Sequence, residues 1–138
     1  MKIKYDNEVI KIMNIFNYVT KINLKDYFVD DNQISVFVVK DFHLSKAVGI
    51  KGANVRLIEN KINRKIKILG FNPKVLQFVK NLIYPLKVKE IRQEENKIII
   101  ESSDSKSRGL LIGKNAKNLR NFEKITKRYF DIDEIKII

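Results

Sequence analysis

The apolar residues near the start of the chain fall at Val9, Ile12, Met13, Phe16 and Val19. Steps of three, one, three and three put them on one face of an amphipathic helix of about three turns. The period then shortens. Residues 24–29 and 33–40 are β-rich runs separated by the turn cluster Asp30-Asp31-Asn32, which predicts a hairpin. Residues 44–48 read as a short helix ended by Gly49, and residues 53–63 as a second helix burying Val55, Ile58 and Ile62. Residues 65–69 read as a closing strand. The same order then starts again: a helix over 74–83 behind Pro73, strands over 87–92 and 97–102, helices over 107–112 and 117–129, and a strand over 135–138. Pro73 suits a first helical turn, because the amide it lacks goes unpaired there anyway.

The repetition extends to individual residues. Sliding the chain along itself by 64 positions needs no gap from Asn32 to Arg64. Gly49 falls on Gly113, Asn54 on Asn118, Arg56 on Arg120, Glu59 on Glu123 and Arg64 on Arg128. Val48, Val55 and Ile58 meet Ile112, Leu119 and Phe122, so apolar character persists where identity is lost. A five-residue insertion around residues 129–133 restores register, setting Ile66-Lys67-Ile68 on Ile135-Lys136-Ile137. These features indicate an internal duplication; the alternative is a single α/β domain with two similar helices. The only boundary is Gly70-Phe71-Asn72-Pro73, which makes residues 1–71 and 72–138 the expected domains. So short a connection predicts a fixed mutual orientation.

Charge sharpens this picture. The chain of 138 residues carries a formal +12, with 28 Lys and Arg against 16 acids. Residues 46–67 hold seven bases and only Glu59, for +6; residues 106–128 hold eight bases and only Glu123, for +7. The other 93 residues carry −1. Compositional drift toward lysine would scatter the charge. Two basic patches on a neutral frame are the footprint of a polyanion binder.

Composition removes other classes. With no cysteine, disulfide scaffolds, thiolate metal sites and cysteine nucleophiles are excluded. A single histidine, His43, leaves no Ser-His-Asp or His-ligated zinc constellation. No apolar run approaches the ~18 residues of a membrane span. Asp6 and Glu8 stand where a signal peptide is apolar, which argues against export. Gly109 to Asn115 superficially has the look of a P-loop, but three residues separate its glycines where four are needed, and Asn replaces Ser/Thr. The acids at Asp30-Asp31, Glu94-Glu95 and residues 131–134 sit at predicted turns and read as solvated. His43 reads as an exposed loop residue, and Phe16, Tyr18, Tyr27, Phe28 and Phe37, which lie in predicted regular elements, as mostly core. The expectation is a soluble cytoplasmic protein, monomeric, not an enzyme, and needing no cofactor or metal.

The glycines carry the most specific signal. Gly49-Ile50-Lys51-Gly52 joins two helices with little side-chain bulk, so backbone amides and the amino end of the second helix face outward, a favourable place for phosphate. In this setting the chain resembles the KH family, whose GxxG loop clamps the backbone of about four nucleotides. The element order is that of the type II variant. Residues 47–58, AVGIKGANVRLI, are similar to the "AIGKGGxNVRL" stretch of the transcription factor NusA, and residues 112–119 to the equivalent stretch of its second KH domain. Two KH units filling the chain resemble the short archaeal NusA-like proteins.

The resemblance implies an α+β fold of two tandem type II KH domains, each a small three-stranded mixed sheet packed on three helices. It implies single-stranded RNA binding in transcription elongation or termination. The expected RNA contacts are Lys46, Gly49, Ile50, Lys51, Gly52, Asn54, Arg56, Arg64 and Lys65 in the first unit. In the second they are Arg108, Gly113, Lys114, Asn115, Ala116, Lys117 and Arg120. Bases are expected in an aliphatic groove lined by Ile50, Leu57 and Ile66. One departure stands out: Ala116 occupies the place of the fourth glycine. If that place requires a positive φ, alanine is strained by about 1 kcal/mol or more; if it is the first helical residue, alanine is harmless. The second unit is then either a modified clamp or a structural copy. RNA polymerase and ribosomal components are the further partners implied. Rival readings are a ribosome-assembly protein that binds rRNA, a polybasic membrane-surface protein and a polymerase adaptor.

Overall fold

A 14-residue helix with one apolar stripe decides where the first core forms. In a computed structural model, which describes residues 6–138, α1 spans Asn7–Thr20 and buries Ile12, Phe16 and Thr20. Asp6 starts it, its carboxylate accepting from the Val9 amide at 2.8 Å. Lys21 ends it in the left-handed region, φ 61°. Strands β1 (Asp26–Val29) and β2 (Ser35–Lys40) form the hairpin. Asp30 Oδ1 holds its turn by accepting from the amides of Asn32 and Ile34 at 2.8 and 2.9 Å. A 3₁₀ turn, Asp41–His43, leads into α2 (Leu44–Val48), the glycine loop, α3 (Ala53–Ile62) and β3 (Ile66–Phe71). The sheet runs β1-β2-β3, antiparallel at the hairpin and parallel between β2 and β3.

Aromatic stacking closes this core. The Phe16 ring lies 4.8 Å from that of Phe37, nearly parallel, and Tyr27 tilts against Phe37 at 4.9 Å. Ile12, Ile22, Val39, Ala47, Ile58, Ile66 and Ile68 complete the cluster. Burial of each ring is worth roughly 1.5–3 kcal/mol, so the cluster holds helices and sheet together far more strongly than hairpin propensity does.

The second unit repeats the order: α4 (Val75–Ile83), β4 (Val88–Glu94), β5 (Lys97–Ser102), α5 (Ser105–Ile112), α6 (Lys117–Lys127) and β6 (Glu134–Ile137). Its sheet, β4-β5-β6, has the same mixed pairing. The chain divides into two compact units, Met1–Phe71 and Asn72–Ile138; residues 1–5 lie outside the described residues. Each unit is a three-stranded mixed sheet with three helices, so the fold is α+β, consistent with two tandem KH-like domains. The insertion also has a physical role. Helix α4 is five residues shorter than α1 (9 against 14), and the longer loop before β6 brings Tyr129 and Phe130 to within 5.5 and 5.2 Å of Phe78. Ile132 is buried as well.

Three expectations change. Pro73 is not in the first turn of α4. It precedes the N-cap, Lys74, whose amide donates to Asn72 Oδ1 at 2.8 Å, so the proline shapes the entry to the helix. Tyr18 is not core: it is 71% exposed, with Lys21 Nζ 4.6 Å from its ring centroid, and Phe28 is only half-buried. The gapless slide also fails in the strands. Phe37 pairs with Ile68, and Ile100 with Ile137. Ile68 and Ile137 match in the repeat, so Phe37 matches Ile100, an offset of 63; the slide by 64 would put it on half-exposed Glu101. A one-residue slip turns a strand's faces over, and burial decides between the two registers. The second unit therefore has one extra residue between β5 and α5.

Candidate nucleic-acid interface

Helix α2 stops where the backbone takes angles that only glycine adopts readily. Gly49 has φ 79° and ψ 171°, Lys51 φ 54° and Gly52 φ 74°. The second loop repeats them: Gly113 φ 74° and ψ 172°, Asn115 φ 57° and Ala116 φ 60°. Four residues with unlike side chains thus follow one path twice.

A glycine–asparagine pair holds that path in each unit. A Cβ on Gly49 would sit 2.9 Å from Asn54 Cγ and 3.1 Å from its amide nitrogen; on Gly113 it would sit 2.8 and 3.0 Å from the same atoms of Asn118. The space is taken because the asparagine reaches back across the loop. Asn54 Nδ2 donates to the Lys46 carbonyl at 3.3 Å, and Asn118 Nδ2 to the Leu110 carbonyl at 2.8 Å. Each bond ties the last turn of one helix to the first turn of the next. Asn54, expected to contact RNA, is thereby also a brace, and its counterpart Asn118 was missing from the expected set. The repeat identity marked both; the position of Asn54 beside the loop suggested a ligand contact instead.

Ala116 is the N-cap of α6 in a left-handed conformation, so it is the strained alternative and not the first helical residue. Ala116→Gly is expected to stabilise the protein by about 1 kcal/mol, read as a higher denaturation midpoint at unchanged slope. A lower midpoint would mean that glycine's greater freedom in the unfolded chain outweighs the relief of strain.

The helix starts differ in a telling way. Helices α1 and α5 are capped by Asp6 and Asp104, and the Ser107 amide at 2.7 Å holds the Asp104 carboxyl below the usual carboxylate range. Helices α3 and α6 begin at Gly52 and Ala116, with no side-chain cap. The Ala53 and Lys117 amides donate to the Ile50 and Lys114 carbonyls, so an external acceptor at the positive end of the helix dipole would meet the later amides of each first turn.

Cations surround both starts. Lys46, Lys51, Arg56 and Lys65 are exposed in the first unit, as are Arg108, Lys114, Asn115, Lys117 and Arg120 in the second. Gly49, Gly52, Asn54, Gly113 and Ala116 are half-buried beneath them, and Ile50 projects from the first loop, 85% exposed. Some of these charges have other work. Arg56 donates to the Lys51 carbonyl inside its own loop, whereas no such bond is found for Arg120 among the described residues. Arg64 pairs with Glu8 at 3.4 Å. Burial lowers the pKa of Lys67 from its ordinary value, partly offset by Asp30. The one acid in each patch is an anchor: Glu59 accepts from the Ile66 amide at 3.2 Å, and Glu123 from the Ile135 amide at 2.9 Å. Each fastens a basic helix to the first residues of the closing strand.

The expected groove loses a wall. Ile66 is only 9% exposed and belongs to the core; Ile50 and Leu57 remain exposed. His43 is half-buried in the 3₁₀ turn, and its neighbour Phe42, which belongs to no periodic run, is 77% exposed. Among the described residues no group of three His, Cys, Asp or Glu could hold a metal ion, and no helix is long and apolar enough to cross a membrane.

Comparison with known proteins adds sequence to this geometry. The chain is similar to proteins named "Probable transcription termination protein NusA" from three archaea. Identity is 28% for Methanococcus vannielii, over 100% of this chain and 81% of that protein. It is 26% for Methanocaldococcus jannaschii, over 99% and 76%, and 25% for Halobacterium salinarum, over 99% of each. The resemblance to archaeal NusA runs the whole length of the chain. No family model matches it. The crystal structure of APE1850 has the same fold, with a TM-score of 0.73 and 20% identity over 97% of this chain and 100% of that one. The NusA-named proteins from M. vannielii and M. jannaschii are longer than the matched region, and that of H. salinarum is matched almost entirely.

Proposed function

We propose that the chain binds single-stranded RNA and acts in transcription elongation or termination, as the name of its NusA relatives suggests. The supporting observation is the loop that recurs with the same backbone angles, each time opening a basic helix without a side-chain cap. In this reading a phosphate sits at the first-turn amides of α3 and α6, where Lys51 or Lys114 neutralises it. Ile50 and Leu57 meet base and sugar surfaces. The site holds RNA and orients it, and it supplies no paired nucleophile and base. RNA polymerase is the protein partner this role implies.

Two features of binding test the proposal. If each patch meets about three phosphates, log K should fall against log[salt] with a slope near −4, from about −0.7 per phosphate on a single strand. Arg120→Gln should reduce the slope by about 0.7. It is a cleaner probe than Arg56→Gln, because Arg56 also braces its loop. Affinity should rise steeply between about four and about ten nucleotides and then level off, since each KH unit holds about four. Saturation at four or five nucleotides with Arg120→Gln silent would leave only the first unit reading RNA. Preference for folded rRNA over unstructured transcript would move the protein to ribosome assembly.

A further inference from the structure

The two units also differ just before the first helix of each loop. In the second unit, Asp104 caps α5 through the Ser107 amide. In the first, the 3₁₀ turn Asp41–His43 stands there and α2 has no side-chain cap. The turn carries Phe42, whose ring is 77% exposed and so forgoes most of the stabilisation that burial would give. An isolated exposed ring is commonplace. This one has three further properties.

It is held in place. The turn packs directly onto Gly70 of β3, where a Cβ would lie 2.8 Å from Asp41 Oδ1 and 3.3 Å from Leu44 Cδ2. Its ring is oriented: the His43 imidazole meets it edge-on, with centroids 4.2 Å apart. A cation accompanies it, Lys40 Nζ at 6.0 Å from the ring centroid. Only His43 and α2 separate Phe42 from Gly49, and the five helical residues of α2 rise about 7.5 Å. A strand that leaves the loop along α2 would therefore reach the ring within a few nucleotides.

We infer that Phe42 is a stacking platform for one unpaired base of the RNA, with Lys40 facing the adjoining phosphate, a site that the second unit lacks. The inference rests on the proposed RNA binding. An aromatic ring is suited to this because every base presents a π-face, so stacking adds affinity without demanding a sequence. It would also set the register of the strand on the first loop.

The chain contains no tryptophan and five tyrosines, so Phe42→Trp places a single tryptophan at the site, excited selectively at wavelengths where tyrosine does not absorb. Wild type, Phe42→Ala, Phe42→Leu and Phe42→Trp are titrated with a ten-nucleotide single-stranded RNA, intact and with an abasic residue at each position in turn. Phe42→Ala should lose about fivefold or more in affinity, Phe42→Leu should lose nearly as much, and Phe42→Trp should bind like wild type with its emission quenched. One abasic position should weaken wild type but not Phe42→Ala. If wild type binds RNA while Phe42→Ala binds equally well and the emission of the Phe42→Trp variant stays constant, the platform is refuted and RNA binding stands. Phe42 would then be idle or reserved for a protein surface. If wild type binds no RNA, the broader reading fails, and the platform fails with it.

Discussion

Replacing Ile50 and Lys51 together by Asp should lower affinity for single-stranded RNA at least tenfold and leave the melting temperature nearly unchanged. The change removes one positive charge and adds two negative ones at the tip of the first loop. At about 5 Å from a phosphate, each unit of charge is worth roughly 0.8 kcal/mol in water. Three such units, reduced by salt screening, exceed the 1.4 kcal/mol of a tenfold effect. Folding should tolerate the substitutions, because Ile50 is 85% exposed and Lys51 is exposed as well. Lys51 also has φ 54°, a conformation that Asp adopts more readily than Lys. Lys51→Asn is the control for charge, since Asn115 occupies the same place in the second loop with φ 57°; it should cost only a few-fold. Equal affinity for the double Asp variant and wild type, measured by fluorescence anisotropy, would remove this loop from the mechanism.

Two glycines four residues apart should respond to alanine with opposite signs. Gly113→Ala should destabilise the protein by about 2–4 kcal/mol. Its φ of 74° and ψ of 172° lie in a region that is essentially glycine's alone, which costs about 1–3 kcal/mol. The new methyl would also press on Asn118 at 2.8 Å and on its backbone nitrogen at 3.0 Å, adding an overpacking cost of about 1–3 kcal/mol. Gly109→Ala should instead stabilise by about 0.5–1 kcal/mol. That residue is inside α5, with no atom within 4 Å of the added Cβ. Chemical denaturation measures both, and a Gly113→Ala protein as stable as wild type would contradict the loop geometry.

The two responses follow from features that the sequence displays unequally. The helices and the loop were legible because their spacing is local: Leu44–Val48 ends where Gly49 predicts, and β5 spans residues 97–102 as expected. The strand register was not legible. Phe37 and Ile100 share only apolar character, so the extra residue between β5 and α5 leaves no mark, and only burial reveals which side chains face the helices. Asn54 and Glu59 stood out as repeat identities, yet identity says nothing about direction. Their bonds run back to the Lys46 carbonyl and forward to the Ile66 amide. Those bonds hold the clamp's shape, a role that looks the same as ligand contact in a list of matching letters. Ala116 left two readings open, and only the backbone decides between them: its φ is 60°, as left-handed as the 74° of Gly52.

The claim that both loops hold RNA is tested most directly by amide chemical-shift mapping of the ¹⁵N-labelled chain during titration with a ten-nucleotide unstructured RNA. The account predicts perturbations concentrated in two stretches, residues 49–56 and 113–120, with the first-turn amides of α3 and α6 moving most and both stretches saturating together. Perturbation confined to residues 49–56 would reduce the second unit to scaffold. Shifts that avoid both loops, at RNA concentrations where binding is complete, would contradict the account.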